Sequence, residues 1–145
     1  MEKLLISACL IGSDCKYNGG NNALSDEELK KLREKYILVP VCPESAGGLP
    51  TPRVPGERRG AQVVAKDGRD LTENFRRGAE IALLLAQRHG CRKALLKAKS
   101  PSCGSGSIYD GSFSGTLISG DGVTAQLLKE KGIQVFSENE SDELI

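Results

Sequence analysis

Short apolar runs alternate with helical segments along this chain, and this alternation restricts the fold more than any other feature. Four apolar runs have the length of buried strands, and they lie at 3–9, 36–42, 93–97 and 133–136. The spacing of apolar residues between them predicts three helices, at 26–35, 73–89 and 123–131. This alternation is typical of an α/β domain with a mainly parallel sheet. We therefore predict one domain over residues 1–145, with flanking helices in a Rossmann-like three-layer arrangement.

The remaining segments lack this periodicity. The Asp67-Gly68 turn predicts a small hairpin that pairs 62–65 with 69–71. Thr72 is the expected N-cap of the helix that follows. Two long segments, 43–59 and 100–122, are rich in Pro or in Gly and Ser, and long loops in compact domains are usually functional or disordered. The acidic tail, 137–145, is expected to fray.

The cysteines are informative because of where they lie in this pattern. Cys9 and Cys42 each follow a predicted strand closely, and Cys103 lies a few residues beyond a third. Ligands bind beyond the carboxyl ends of strands in such sheets, so three segments deliver a thiol to the same edge. Cys15 lies close by in the chain with an uncertain role. Cys91 begins a strand instead of ending one, so we expect it at the opposite edge as a structural residue.

The composition limits the compartment and the partners. The chain has 5 Cys, an odd number that cannot all pair within one molecule. The apolar stretch near the N-terminus is too short for the hydrophobic region of a signal peptide. No apolar run approaches the ~18 residues that a membrane-spanning helix needs. We therefore expect a cytoplasmic protein whose thiols stay reduced, without membrane association. The net charge of +1 argues against stable nucleic-acid binding.

Three converging thiols are compatible with three kinds of site. Zinc takes four ligands, and Cys15 is available as the fourth. An iron–sulfur cubane held by three cysteines leaves one iron open to a substrate atom. A reactive thiol would instead suit a sulfur carrier or a thiol-redox protein. The spacing does not decide the metal because no C-x-x-C is present, although Gly-rich surroundings favour a cluster slightly. With 1 His, neither a Ser–His–Asp nor a Cys–His catalytic set is supported.

Polar residues beside these cysteines are candidates for chemistry. Glu44 lies two residues after Cys42, where a carboxylate can relay protons or bind the metal, or can simply be solvated. The Ser100 and Ser102 hydroxyls can hydrogen-bond a polar ligand or close a turn. Lys99 can supply positive charge, although lysines at strand ends are commonly solvated. The Gly pairs match neither a P-loop nor a dinucleotide fingerprint.

Taken in order, several short motifs resemble a known family. They are Ser7-Ala8-Cys9-Leu10, Tyr17-Asn18-Gly19, Pro40-Val41-Cys42-Pro43-Glu44, Gly48-Leu49-Pro50, Pro52-Arg53, Lys99-Ser100-Pro101-Ser102-Cys103-Gly104 and Ile108-Tyr109-Asp110-Gly111. Together they resemble the thiouracil desulfidase family, a bacterial family. The resemblance covers nearly the whole chain, from Ser7 to about Glu138, and the ordered set is more specific than any one tripeptide.

The resemblance implies an enzyme that removes sulfur from a thiolated uracil, such as 2- or 4-thiouracil, and leaves uracil and sulfide. It also implies a [4Fe-4S] cluster held by Cys9, Cys42 and Cys103, whose open iron takes the substrate sulfur. The family's acid/base carboxylate maps to Glu44 and its catalytic serine to Ser100.

Three further residues are substrate-binding candidates on weaker grounds: Ser102, Lys99 and Arg53. The implied partner is a small thiolated pyrimidine. Because no electrons need cross the reaction, no nicotinamide or flavin site is required. A zinc-binding interaction module and a thiol-based sulfur carrier remain the alternatives.

Overall fold

A computed structural model describes the whole chain, Met1–Ile145, and a four-stranded sheet forms its centre. The strands are β1 (Glu2–Ser7), β2 (Tyr36–Val41), β3 (Gly56–Arg59), β4 (Gln62–Ala65), β5 (Lys93–Leu96), β6 (Ser107–Tyr109), β7 (Leu117–Ser119) and β8 (Gln134–Ser137). The helices are α1 (Asp26–Lys35), α2 (Pro43–Ala46), α3 (Thr72–His89) and α4 (Val123–Glu130). The central sheet has the order β2-β1-β5-β8, and all its pairings are parallel. The predicted α/β class is therefore confirmed.

Both faces of this sheet are covered, as a parallel sheet requires. Successive side chains of β1 point to opposite faces. Leu4 and Ile6 pack with Leu32 of α1 on one face. Leu5 packs with Ala86 of α3 on the other, where α4 also contributes. The result is a three-layer arrangement. None of the helices combines the length and the apolar composition needed to cross a bilayer.

The helix boundaries follow local hydrogen bonding. Ser25 caps α1, as its spacing from Glu28 predicts, and its Oγ accepts from the Glu28 N–H at 3.2 Å. The expected cap of α3 was wrong. Asp70 accepts from the Thr72 N–H at 2.9 Å, whereas the Thr72 hydroxyl accepts from the Val63 N–H at 3.0 Å. Thr72 therefore ties the helix start to β4 instead of capping it.

The small hairpin is shifted relative to the prediction. β4 pairs in antiparallel register with β3, and Gly60 in the connecting turn has a φ of 59°. The Asp67-Gly68 turn exists, but the chain after it contributes only an isolated bridge between Val64 and Asp70. The physical reason is that α3 begins at Thr72, so the segment after the turn is too short for a full ladder.

The acidic tail, for which we expected fraying, is folded onto the domain. Residues Glu138–Glu143 form a 3-10 helix whose N-terminus carries a capping box from Ser137 and Glu140. Leu144 is fully buried, and its carbonyl accepts from the Tyr36 hydroxyl at 3.1 Å. The buried Leu144 side chain and the hydrogen bond to its carbonyl thus hold the tail against the domain, although the acidic composition of the tail suggested that it would fray.

The packing of the tail predicts a measurable contribution to stability. Replacing Leu144 with Ala should lower the free energy of unfolding by about 2 kcal/mol because it removes fully buried apolar atoms. Leu117→Ala is the matched control, since Leu117 is 41% exposed and its loss should change stability by less than about 0.5 kcal/mol. Urea unfolding measures both, and equal small effects would show that the tail does not stabilise the fold.

Candidate active site

The carboxyl ends of β1, β2 and β5 open onto one cavity of about 660 Å³. The strand order changes direction beside β1, and ligands bind at such switch points in open α/β sheets. Four of the five cysteines line this cavity, namely Cys9, Cys15, Cys42 and Cys103. The structure thus brings the three predicted thiols together and adds Cys15. No disulfide joins any of them.

Each thiol is positioned by a short turn after its strand. Cys9 lies in the 3-10 helix Ala8–Ile11 that directly follows β1, and Cys42 is the N-cap of α2 at the end of β2. Cys103 lies in a turn closed by a hydrogen bond from the Gly104 N–H to the Ser100 carbonyl, at 2.8 Å.

Ser7 is a site residue that the sequence reasoning missed. It is 2% exposed, and its Oγ accepts from the Lys97 N–H at 3.0 Å, which joins the end of β1 to the chain after β5. Its side chain also lies close enough to Cys103 to lower the pKa of that thiol. A serine two residues before a cysteine, at the end of a buried strand, was the available signal.

The environment of the thiols is poorly solvated. Burial raises the pKa of Cys103 to about 12, a shift that the nearby Ser7 side chain opposes and the nearby Glu44 charge reinforces. Burial also raises the pKa of Cys9, against a side-chain hydrogen bond from Asn22. Desolvated thiolates need positive charge beside them. A set of buried thiols facing one cavity therefore has the donor chemistry that an iron-containing cluster requires.

Cys15 lies beside Cys42, whose Sγ is 3.8 Å from the Cys15 carbonyl oxygen. Burial raises the pKa of Cys15 to about 12, and the neighbouring Cys42 adds to the rise. Even so, no three His, Cys, Asp or Glu side chains converge closely enough to hold a single metal ion. Cys91 is buried near Glu2 and Lys3, at the opposite edge of the sheet, as predicted.

Glu44 is held against the cavity by close packing of α2 on α3. A Cβ on Gly78 would overlap the Pro43 carbonyl oxygen, and a Cβ on Gly47 would overlap the Asn74 carbonyl oxygen. The absence of both side chains lets α2 approach the α3 backbone. Burial raises the pKa of Glu44, and the adjacent Arg53 guanidinium opposes that rise.

The serines differ in their exposure to the cavity. Ser100 lines it, and its Oγ accepts from the N–H groups of Ser102 and Cys103 at 3.1 and 3.0 Å. Ser102 is fully buried outside the lining, and its hydroxyl bonds that of Thr124 at 2.8 Å. Ser102 therefore supports the turn, and the structure does not place it on the cavity wall with the other candidates. Lys99 is exposed and lies on the cavity wall with a φ of 68°.

Aromatic residues form part of the wall that the sequence reasoning left unassigned. Tyr17, Tyr109 and Phe113 line the cavity. Phe113 has a φ of 57°, and its N–H donates to the Glu57 carboxylate at 3.1 Å. Two aromatic residues, Tyr109 and Phe113, in a Gly- and Ser-rich segment were the available signal. Flat apolar walls of this kind suit a planar ring.

The fold and the site define a single-domain α/β protein with a thiol-lined cavity at the carboxyl edge of its sheet. A family model described as 2-thiouracil desulfurase matches residues 4–140. The chain therefore belongs to the 2-thiouracil desulfurase family.

Two similar proteins extend this comparison. The chain is 49% identical to a solved structure described as the [4Fe-4S]-dependent thiouracil desulfidase TudS, with a TM-score of 0.95 over 99% of this chain and 95% of that one. It is 43% identical to YbbK, described as an uncharacterized protein, of Bacillus subtilis (strain 168), over 98% of this chain and 99% of the relative. Both similarities span essentially the whole domain.

Because α2 packs closely against α3, a glycine-to-alanine substitution inside α3 should lower the stability of the protein instead of raising it. Helix propensity alone would make Gly78→Ala stabilising by about 1 kcal/mol. Because the new Cβ would overlap the Pro43 carbonyl, we expect destabilisation by about 2 kcal/mol instead. Gly120→Ala is the control, since its nearest neighbours would lie at 3.5 Å. Thermal unfolding compares the two, and a Gly78→Ala protein more stable than the parent would contradict this packing.

Proposed function

We propose that the protein is a [4Fe-4S]-dependent desulfidase that converts a thiolated uracil and water into uracil and sulfide. The observation that carries the proposal is the convergence of three thiols from three strand ends on one cavity, with Glu44 and Ser100 on its wall. Membership of the 2-thiouracil desulfurase family supports it. So does the similarity to TudS.

Cys9, Cys42 and Cys103 would hold the cluster. When bound, the cluster supplies a Lewis-acidic iron without a protein thiolate, which suits a soft thiocarbonyl sulfur. The ligands of a cubane bind different irons, so they stand further apart than the ligands of one ion. This agrees with the absence of any three-residue group that could hold a single metal, and it disfavours the zinc alternative.

The thiol-carrier alternative is disfavoured by electrostatics. A reactive cysteine needs a lowered pKa, which usually comes from nearby positive charge or a helix N-terminus. Burial instead raises the pKa of Cys9 and Cys103, so neither thiol is activated by its protein surroundings. Ligation also needs thiolates, and a bound cluster would itself supply the positive charge that stabilises them.

Glu44 would move the proton that the reaction requires. Its carboxylate lies on the cavity wall on a short, tightly packed helix, so its position is well defined. From there it can accept a proton from an attacking water, or hold one at Oε for a ring nitrogen. Water enters and sulfide leaves, so the reaction needs no electron donor.

Ser100 would act as a directed hydrogen-bond donor. A serine hydroxyl has two acceptor lone pairs and one hydrogen. The N–H groups of Ser102 and Cys103 occupy the acceptor side, so the hydroxyl hydrogen is left for a group in the cavity. Lys99 would add positive charge at the exposed rim, where it can attract electron-rich substrate atoms.

Cluster loading provides the first test. Protein purified or reconstituted without oxygen should be brown, contain about four irons per chain and release sulfide from 2- or 4-thiouracil. Replacing Cys9, Cys42 or Cys103 with Ala should abolish both the iron content and the activity. Cys91→Ala is the control and should retain both, because Cys91 lies at the far edge of the sheet. Protein that takes up no iron under these conditions would refute the proposal.

Substitution of the two proposed catalytic groups provides the second test. Glu44→Gln and Ser100→Ala should each lower kcat by about a hundredfold, with the iron content unchanged, because the first removes the proton-transfer group and the second a hydrogen-bond donor to the substrate. Glu80→Gln and Ser119→Ala alter exposed residues and serve as controls that should keep full activity. Full sulfide release by either site variant would show that the altered residue has no such role.

A further inference from the structure

Arg53 is an ionic residue that is almost completely enclosed, and its role is not explained by packing alone. Its side chain is 4% exposed, although it lies at the cavity. Its Nε is the one buried side-chain nitrogen or oxygen in the chain without a hydrogen-bond partner. A buried charged donor that lacks a partner costs free energy, so its retention calls for a function.

Both Nη atoms of the Arg53 guanidinium already donate hydrogen bonds to acceptors within the protein. Nη1 donates to the Thr51 hydroxyl at 2.9 Å and to the Pro50 carbonyl at 3.2 Å. Nη2 donates to the Cys15 carbonyl at 2.8 Å. In addition, the Arg53 backbone N–H donates to the Tyr17 carbonyl at 2.7 Å. These bonds tie the segment before β3 to the loop after β1 and fix the side chain in one orientation.

That orientation directs the unpartnered Nε at the proposed acid/base group. Nε lies 3.6 Å from Oε1 of Glu44, just beyond hydrogen-bond distance. Catalytic hydrogen bonds are often long in the free enzyme and shorten when substrate is bound. A small movement of the carboxylate would therefore complete a charge-assisted hydrogen bond.

We propose that Arg53 is a positioning residue that orients the Glu44 carboxylate through Nε, instead of the substrate anchor that the sequence indicated. The inference rests on the proposed function of Glu44. A substrate anchor would present free Nη groups to the cavity, whereas three of the four Nη hydrogens here are committed to protein acceptors.

Two substitutions separate positioning from substrate binding. Arg53→Met removes the charge, and Arg53→Lys keeps a charge near Glu44 while losing the forked contacts. In anaerobically loaded protein, Arg53→Met should lower kcat by about 10- to 100-fold, because a carboxylate that is misplaced by a small distance transfers protons poorly. KM should stay within about twofold, because substrate contacts are retained. Arg53→Lys should recover part of kcat, and it carries the test if Arg53→Met fails to fold.

Arg59→Met is the matched control. Arg59 also ties a loop to the domain, through a 2.7 Å bond from Nε to the Gly111 carbonyl, but it does not line the cavity. Its loss should leave kcat unchanged. A double-mutant cycle of Arg53 and Glu44 distinguishes a specific effect on Glu44 from a general loss of structure around the cavity. If Arg53 acts through Glu44, Arg53→Met should cost little further activity in a Glu44→Gln background.

Crystal structures of the parent, Arg53→Met and Arg59→Met proteins provide a readout that does not depend on activity. The Glu44 carboxylate should change position only in Arg53→Met. An unmoved carboxylate, a rise in KM at constant kcat, or fully additive losses in the cycle would overturn the positioning role and leave the desulfidase proposal intact. A parent protein that releases no sulfide, in which Arg53→Met still displaces Glu44, would instead refute the desulfidase activity alone.

Discussion

Parallel pairing of β1 with β2 on one side and with β5 on the other is the constraint on which the site depends. Because these strands run in the same direction, their carboxyl ends lie at one edge of the sheet, and the segments that follow them share one cavity. Ser7 reinforces this arrangement, since it accepts a backbone hydrogen bond from Lys97 across the β1–β5 junction. A slip of one residue would turn every side chain of β1 to the other face and separate the thiols.

Burial has opposite consequences for stability and for chemistry at this edge. It disfavours the charged forms of Cys103 and Glu44, whose pKa values are both raised. The same low solvation strengthens every interaction with a positive charge, whether from the proposed cluster or from Arg53. The charged forms of Cys103 and Glu44 are therefore unfavourable in isolation, and a positive partner beside each of them stabilises the charge.

Much of the architecture could be predicted because it depends on local patterns. The capping of α1 by Ser25 and the apolar runs of the central strands are encoded within a few residues. The two long segments were harder. α2, β3 and the β6–β7 hairpin lie within them, and these elements are stabilised by partners distant in sequence, as when Glu57 accepts from the Gly111 N–H at 2.9 Å. Composition alone does not reveal such contacts.

The order of residues along the chain was enough to predict the class of fold, the strand ends at which the cysteines lie and the family to which the motifs belong. The use of those residues depends on contacts that the order alone does not reveal. The tertiary structure buried Ser102 against Thr124, folded the tail onto Tyr36 and directed the Nε of Arg53 at Glu44. These outcomes depend on packing between distant segments, which determines the direction of a side chain and the partners left to it.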